Sequence, residues 1–394
     1  MAGDMQGKLL DVIVVGAGPA GSIAAWHLAK AGLDVLVIEK YSLPRVKPCA
    51  GGLTYKARQA IPFDVSPAIS VEATGGILTY HGNPVLQVDL QKPLASLVNR
   101  AEFDHFLLKQ AQKAGVKALE NTRLLSLSQD DASVTVETTQ GTFQARFLVG
   151  ADGINSQAAK QLGLLVDRQV AYAVEAELQV PIGVLGKLGG RVVFDFGAID
   201  HGYGWVFPKS DHLSVGVCCA RDDKAPDLKE ALKIFIATQP MLKTHRMLSL
   251  RGYPGPLGGI PTDLHKGRCL LVGDAANLAD AWMGEGLHYA ITSAQIAAKS
   301  IIQASQSPVS DLSGYSQKVN AEIVSQLYHA RRLARVIYKM PGLANFLIKR
   351  NQQLVDITFG VIRGDLTFEQ AHLDIKKRWF SILLSSIFKK RTKK

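Results

Sequence analysis

The feature that most constrains this chain is a glycine-rich turn between a short apolar strand and a helix near its beginning. Residues 11–40 read DVIVVGAGPAGSIAAWHLAKAGLDVLVIEK, in which Gly16, Gly18 and Gly21 follow a β-branched run. Gly16 permits a tight turn, Gly18 lets the backbone approach a pyrophosphate, and Gly21 allows helix and strand to pack closely. The spacing therefore predicts a β-α-β unit that binds a dinucleotide at the start of its helix.

A second apolar run, residues 34–38, follows the predicted helix and ends at Glu39. A carboxylate at the end of this strand can bind the ribose hydroxyls of a dinucleotide. Because strand, helix, second strand and acid occur in register, we favour a nucleotide site over a glycine-rich turn without function. The motif alone does not separate NAD from FAD.

A second glycine-rich element, far downstream, separates the two cofactors. The apolar strand 268–272 ends at Gly273-Asp274, and Gly284-Glu285-Gly286 precedes a predicted helix. An Asp at that strand end can bind the ribitol or pyrophosphate region, while the Gly284 turn presents N–H groups toward a flavin ring. We therefore predict FAD. The expected contacts from the two elements are Gly16, Gly18, Ala20, Gly21, Glu39, Lys40, Asp274, Gly284, Gly286 and Leu287.

The whole pattern predicts an α/β fold: a Rossmann-like FAD-binding domain with an inserted antiparallel β-sheet substrate domain and a helical C-terminal region. Strand-like segments broken by glycines between residues 171 and 217 indicate the antiparallel sheet. Residues 252–259, with two prolines, are expected to form a loop. The predicted boundaries are 1–80, 92–170 and 255–314 for the FAD-binding domain, 81–91 and 171–254 for the substrate domain, and 315–394 for the helical region.

Two more segments give the chain a resemblance to a known family. Residues 44–53 read PRVKPCAGGL, and residues 202–208 read GYGWVFP. With the Gly273-Asp274 and Asp152-Gly153 pairs, they make residues 9 to about 303 resemble flavoproteins of the para-hydroxybenzoate hydroxylase type. Within that group the sequence resembles the geranylgeranyl reductases, because monooxygenases of the same fold do not usually carry both segments.

The resemblance implies a role for each matched residue. Arg100, Asp152 and Gly153 match cofactor contacts, and Cys49 is expected near the flavin together with Ala50 and Gly51. Tyr203, Trp205, Phe207 and Pro208 are expected to line a prenyl tunnel. The chain departs from the family pattern at Ala158-Ala159, at Asp200 and before Gly284, where a proline is missing. The last two departures lie at the substrate end, so they leave the exact substrate open.

The same resemblance implies an enzyme that transfers hydride from the reduced flavin N5 to an isolated double bond of a prenyl chain. Such an alkene is a poor hydride acceptor, so an acid must protonate it, and Cys49 or a bound water is the candidate. The prenyl group could be carried on diphosphate, chlorophyll, a quinone or a lipid. No second strand–GxGxxG–helix unit occurs, so the external reductant, NADPH or reduced ferredoxin, is not expected to have a domain of its own.

Other interpretations remain open at this point. The same fold could serve a flavin monooxygenase or halogenase acting on an aromatic or polyene substrate, or a membrane-bound flavoprotein that only relays electrons or scaffolds a pigment-synthesis complex. Trp205 and Phe207 could be ordinary core residues, because aromatic side chains bury large areas wherever they occur. Cys49 could be a small buried hydrophobe.

The charge distribution favours a membrane surface over nucleic acid as a partner. The net charge is +11, and residues 374–394 contain eight basic residues and one acidic residue. Apolar residues repeat about every four positions from 375 to 388. A basic amphipathic tail of this kind predicts interfacial membrane binding.

The remaining composition gives weaker indications. The four cysteines and ten histidines show no metal-ligand spacing, so no metal site is predicted. Neither a signal peptide nor a run of about eighteen apolar residues occurs. We therefore expect reduced thiols and a cytoplasmic protein that associates peripherally with a membrane.

Overall fold

The computed structural model describes residues 7–164, 168–220, 227–307 and 311–388, with side chains described as far as residue 378. The strands are β1 (Leu9–Val15), β2 (Val35–Ile38), β3 (Gly52–Thr54), β4 (Val71–Ala73), β5 (Gly75–Tyr80), β6 (Asn83–Asp89), β7 (Ala95–Leu97), β8 (Lys117–Leu119), β9 (Leu124–Gln129), β10 (Val134–Thr138), β11 (Gly141–Gly150), β12 (Val170–Gln179), β13 (Arg191–Asp195), β14 (Gly202–Pro208), β15 (Leu213–Cys219), β16 (Arg246–Pro256), β17 (His265–Lys266) and β18 (Cys269–Leu271). The α-helices are α1 (Pro19–Lys30), α2 (Tyr55–Gln59), α3 (Arg100–Lys113), α4 (Gln157–Leu162), α5 (Ile182–Leu188), α6 (Leu228–Thr238), α7 (Leu287–Gln306), α8 (Ser313–Val319), α9 (Ser325–Lys339), α10 (Pro341–Arg350), α11 (Gln352–Arg363) and α12 (Phe368–Phe388).

The first sheet contains the β-α-β unit predicted from the glycine motif. Its strand order is β17-β18-β11-β1-β2-β8, and β1 pairs in parallel with both β2 and β11. The apolar run of β1 is buried because α1 and α7 pack together beside the sheet. The Rossmann-like half of the prediction is therefore confirmed.

The close packing of α1 on β1 rests on two glycines. Gly16 has a φ of +104°, which side-chain-bearing residues rarely adopt. A Cβ on Gly21 would lie 1.9 Å from the Gly16 carbonyl oxygen. Helix and strand could not approach this closely with any larger residue at position 21.

The second sheet has the order β16-β12-β15-β14-β13-β5-β6 and is antiparallel except for the β13–β5 pair. Alternate residues of a strand point to opposite faces. One face presents aromatic residues such as Tyr203, Trp205 and Phe207, while the other packs against α6 through residues such as Val206 and Phe235. The predicted antiparallel sheet is confirmed.

Two segments differ from the sequence-based expectation. Residues 252–259 were expected to be a loop, which is wrong for the first five, because β16 continues to Pro256. β16 is an edge strand, so Pro254 and Pro256, which have no N–H group, remove few hydrogen bonds from the sheet.

The strand β5 pairs within the second sheet, although the predicted boundary assigns it to the FAD-binding domain. The domain division itself stays a prediction.

The C-terminal helices cover the aromatic face of the second sheet. Ala330, Ala334 and Tyr338 of α9 are buried in the same apolar cluster as Tyr203 and Trp205. Within the described ranges, no helix combines the length and apolarity needed to cross a bilayer.

Replacing Gly21 with alanine should destabilise the protein by about 3 kcal/mol, at the upper end of overpacking costs, because the new methyl meets backbone that cannot move aside. Gly18→Ala is the matched control. Its φ of −74° suits alanine, and the nearest atom to a Cβ there is Arg45 Nη2 at 3.6 Å. Chemical denaturation should therefore separate the two variants, and equal stability of both would contradict this account of the turn.

Candidate active site

A cavity of about 830 Å³ is lined by residues of both large sheets. The sequence-predicted residues that line it are Gly16, Gly18, Ala20, Glu39, Lys40, Cys49, Ala50, Gly51, Arg100, Asp152, Gly153, Tyr203, Trp205, Phe207, Asp274, Gly284, Gly286 and Leu287. Gly21 and Pro208 do not line it: Gly21 packs against the backbone of the turn, and Pro208 ends β14. The fold thus brings nearly all predicted residues to one cavity.

The start of α1 offers a cradle for a phosphate. No side chain caps this helix end, and no acidic residue occurs in its first turn. At Gly18 the space that a Cβ would enter is bounded only by Arg45 Nη2, 3.6 Å away. Free N–H groups and the positive end of the helix dipole fit an anionic pyrophosphate.

Glu39 is held at the cavity wall with both carboxylate oxygens engaged. Oε2 accepts a hydrogen bond from the Ala17 N–H at 2.9 Å, and Oε1 accepts one from the Tyr41 N–H at 3.2 Å. Arg45 Nε lies 3.5 Å from Oε1, and the other end of this guanidinium contacts Asp104 at 3.2 Å. Oε2, with the Ala17 N–H as its one partner among the described residues, has a further lone pair for a ribose hydroxyl, so this site fits the adenosine half of FAD.

Asp280 organises the turn before α7, and Met283 and Gly284 of that turn line the cavity. Its carboxylate accepts hydrogen bonds from the backbone N–H groups of Trp282, Met283 and Glu285 at 2.7–2.8 Å. Gly284 has a φ of +67° within this turn. Asp280 thereby fixes the turn at the place where the family proline is missing, a role that sequence analysis did not anticipate.

Burial gives Asp280 an unusual protonation equilibrium. The side chain is 1% exposed, and its burial, together with the neighbouring Glu285 carboxylate, raises the pKa of Asp280 to about 6. Lys56 opposes this effect and pairs with Glu285 at 2.7 Å. Near neutral pH the group is therefore close to its titration range.

Two buried charged residues of the second sheet bind the backbone of the loop that carries Cys49. The Cys49 N–H donates to Glu175 Oε2 at 2.8 Å, and Lys209 Nζ donates to the carbonyl oxygens of Ala50 at 2.7 Å and Val98 at 2.9 Å. Glu175 and Lys209 are 4% and 5% exposed. Neither residue was predicted from the sequence, although Glu175 stands out as a charged residue between Val174 and Ala176 in β12.

The protonation of these two residues is shifted in opposite directions. Burial raises the pKa of Glu175, against the Ser214 hydrogen bond and the attraction of Lys209. Burial likewise lowers the pKa of Lys209, against the attraction of nearby carboxylates that include Glu175. Both charges are costly to bury, and each partly compensates the other.

Arg100 joins this group at the cavity wall. Its guanidinium binds Asp104 through two contacts, Nε to Oδ1 at 2.8 Å and Nη2 to Oδ2 at 3.0 Å. Burial tends to lower the pKa of Arg100, but the attraction of Asp104 and Cys49 outweighs it and raises the value. A permanent positive charge therefore lies beside the Cys49 thiol.

The other half of the cavity is an aromatic wall. The Tyr203 hydroxyl donates to the Met283 carbonyl oxygen at 2.5 Å, and Trp205 Nε1 donates to Ser214 Oγ at 3.2 Å. Phe194 packs edge-to-face on Phe207 with ring centroids 5.3 Å apart. Phe194 and Tyr253 also line the cavity and were not predicted. Tyr253 lies in the proline-containing segment that had been expected to be a loop.

The two predicted aspartates differ in what their carboxylates do. Asp152 accepts hydrogen bonds from the N–H groups of Gln157 and Ala158, at 2.7 and 3.1 Å, and so caps α4. Asp274 faces α7, since a Cβ on Gly286 would lie 3.4 Å from its Oδ1. Arg168, which was not predicted, is attracted to both carboxylates. Cofactor contacts by the two aspartates remain predictions.

Asp280→Asn should flatten the dependence of stability on pH. The folded protein holds the Asp280 proton more tightly than the unfolded chain does, because the pKa is raised to about 6 in the fold. The free energy of unfolding therefore falls by up to roughly 3 kcal/mol as the pH rises from about 4 to about 6, and it does not change further above that pH. Asparagine removes that slope, and any cost of losing one acceptor for an N–H group is independent of pH. Denaturant titrations across this range give the difference, and identical slopes would refute it.

Comparison with known proteins gives the family. Residues 9–184 match the family described as an FAD binding domain. A protein of Methanosarcina barkeri with no characterised function is 32% identical over 379 residues, 96% of each chain. Digeranylgeranylglycerophospholipid reductase 1 of Methanopyrus kandleri is 30% identical over 348 residues, which cover 83% of this chain and 90% of that protein.

A solved structure shows the same architecture over nearly the whole chain. It is a geranylgeranyl bacteriochlorophyll reductase-like protein from Thermoplasma acidophilum, with a TM-score of 0.77, 21% identity, and coverage of 96% of this chain and 98% of that one. The structural likeness establishes the fold, and the sequence likeness covers more than four fifths of the chain. The protein belongs to the geranylgeranyl reductase family of FAD-dependent oxidoreductases.

Proposed function

We propose that this enzyme reduces isolated carbon–carbon double bonds in a prenyl chain. The observation that carries the proposal is the direct link between the aromatic wall and the turn before α7, made by the hydrogen bond from Tyr203 to Met283. A hydrocarbon chain lying along Tyr203, Trp205 and Phe207 would end beside the predicted cofactor contacts Gly284 and Gly286. Such a wall suits an apolar substrate.

FAD would be held by the unblocked start of α1, by Glu39, and by the turn before α7, whose Gly286 end also lacks a side-chain cap. When bound and reduced, this cofactor supplies the hydride. The chain's own residues have the remaining tasks of orienting the alkene, excluding water and delivering a proton.

Cys49 is the proposed proton donor, directly or through a bound water. Its loop is fixed by Glu175 and Lys209, which hold the backbone on either side of the thiol. Arg100 lies next to the thiol and would stabilise the negative charge left on sulfur after proton transfer. The alternative proton source would be a water bound against the same groups.

Three further parts of the proposal rest on sequence features. The external reductant is NADPH or reduced ferredoxin. A membrane surface is the proposed partner of residues 375–394, of which residues 389–394, and the side chains beyond residue 378, lie outside what the structure describes. The prenyl group could be attached to diphosphate, a pigment, a quinone or a lipid.

The proposed function is tested by incubating the enzyme, with its flavin chemically reduced, with geranylgeranyl diphosphate and with a prenylated lipid in the absence of oxygen. Mass spectrometry should show products heavier by two hydrogen atoms for each double bond reduced. A monooxygenase or halogenase of the same fold would give no product without oxygen and would consume oxygen in proportion to product.

Trp205→Phe should lower kcat/KM for a long prenyl substrate about tenfold while leaving FAD affinity unchanged, because the smaller ring leaves a gap in the aromatic wall. Phe235→Leu is the control, since Phe235 is equally buried but packs on the opposite face of the sheet. Steady-state kinetics at matched folded fraction compares the two variants. If both lose only stability, Trp205 is a core residue and the tunnel assignment fails.

Cys49→Ser should leave FAD bound and slow the passage of reducing equivalents to the alkene by about a hundredfold, the scale of general acid catalysis. Cys218→Ser is the control in the same cavity, where burial raises the pKa of the Cys218 thiol to about 12. Stopped-flow reoxidation of the reduced enzyme by substrate measures the step. Full activity of the Cys49 variant would remove that residue from the mechanism.

A further inference from the structure

The net charge of the protein is concentrated in its C-terminal helices. Residues 1–322 contain 30 basic and 30 acidic residues, whereas residues 323–355 contain six basic residues and no acidic one. Residues 356–373 contain one basic and three acidic residues, and residues 374–394 contain eight and one. The segment that spans α9 and α10 therefore carries +6 of the +11 on its own, independently of the tail.

Exposed apolar side chains occur on the same segment. Val336 and Met340, four residues apart, are 54% and 50% exposed, and Leu343 in the first turn of α10 is 42% exposed. Val336 lies in the last turn of α9, Met340 ends that helix and Leu343 lies in α10, so three exposed apolar residues cluster where α9 meets α10. Among the described residues, none of the three buried apolar clusters includes these side chains.

Basic side chains alternate with the apolar ones. Arg332, Arg335 and Lys339 are exposed, and their spacing places them on the same face of α9 as Val336. Met340 and Leu343 follow directly, at the end of α9 and in the first turn of α10. We call the set Arg332, Arg335, Val336, Lys339, Met340 and Leu343 the α9 face.

The opposite side of α9 packs over the substrate end of the cavity. The Tyr338 hydroxyl donates to the Trp282 carbonyl oxygen, in the turn that Asp280 organises. Ala334 is buried against the same cluster as Trp205. A surface that engaged the α9 face would therefore lie one helix away from the aromatic wall.

We propose that the α9 face docks on an anionic phospholipid bilayer. A bilayer surface complements both parts of the face, because its headgroups attract the three cations and its acyl boundary accepts the three apolar side chains. An acidic protein would complement the charge but gives no specific reason for the apolar series. The inference rests on the proposed function, since a prenyl lipid substrate resides in such a membrane.

The test compares two triple variants of the full-length, FAD-loaded protein, both of which retain the tail. Arg332→Gln/Arg335→Gln/Lys339→Gln removes three charges from the α9 face. Lys229→Gln/Lys233→Gln/Lys243→Gln removes three exposed charges around α6, which packs on the other face of the second sheet. Partition is measured by sedimentation with vesicles of phosphatidylcholine alone and mixed with phosphatidylglycerol.

The α9 variant should partition about a hundredfold more weakly than wild type onto the mixed vesicles, from about 1 kcal/mol for each basic residue near an anionic surface. The α6 variant should bind like wild type, and high salt should weaken wild-type binding because it screens the attraction. Val336→Ser/Met340→Ser/Leu343→Ser should also weaken binding, with the salt dependence retained.

Equal partition of the α9 and α6 variants, or equal binding of wild type to neutral and mixed vesicles, would overturn the inference. So would capture of the wild type by an acidic ferredoxin through Arg332, Arg335 and Lys339 without vesicle binding. The proposed function is judged separately with geranylgeranyl diphosphate dispersed in detergent. If the enzyme reduces that substrate but the α9 variant binds vesicles as well as wild type does, only the docking is refuted. If vesicle binding is as expected but the alkene is not reduced, only the proposed function is refuted.

Discussion

The site depends on how one loop is anchored to a sheet far from it in sequence. The backbone around Cys49 is bound by Glu175 and Lys209, which are 126 residues from Cys49 and 159 residues from Ala50 respectively. Lys209 is attracted by Glu177 as well as by Glu175, and Glu175 also accepts a hydrogen bond from Ser214, so the cost of burying each charge is compensated by several groups. This pair therefore holds the nucleotide-binding half of the cavity in register with the aromatic half.

Tyr203 makes a second connection between the two halves. Its ring belongs to the aromatic wall, while its hydroxyl binds the Met283 carbonyl oxygen in the turn that Asp280 fixes. Two side chains thus fix the turn: the buried Asp280 carboxylate binds its N–H groups, and the Tyr203 hydroxyl binds one of its carbonyl oxygens. A molecule lying against this wall would therefore keep a constant position relative to the turn before α7.

The nucleotide half was predictable from sequence, and the polar groups beneath it were not. Gly21 packs against Gly16, and Glu39 binds the Ala17 N–H, so both contacts lie within one β-α-β unit whose residue spacing is visible in the sequence. Glu175 and Lys209 act through contacts that only the tertiary fold creates, and nothing local marks them as partners of Cys49. The extension of β16 to Pro256 was also missed, since prolines indicate a loop unless the strand is known to lie at a sheet edge.

The chemistry of the aromatic wall limits which part of a substrate it can recognise. The polar atoms of Tyr203 and Trp205 are already engaged, with Met283 and Ser214, so these residues present mainly ring faces to the cavity. Apolar contact is roughly proportional to buried area and has little directionality. The wall can therefore select a chain by its length and width, but it cannot distinguish one headgroup from another. For the proposed prenyl substrate, discrimination between a diphosphate, a quinone and a glycerolipid would have to come from residues outside the aromatic wall, where the headgroup leaves the cavity.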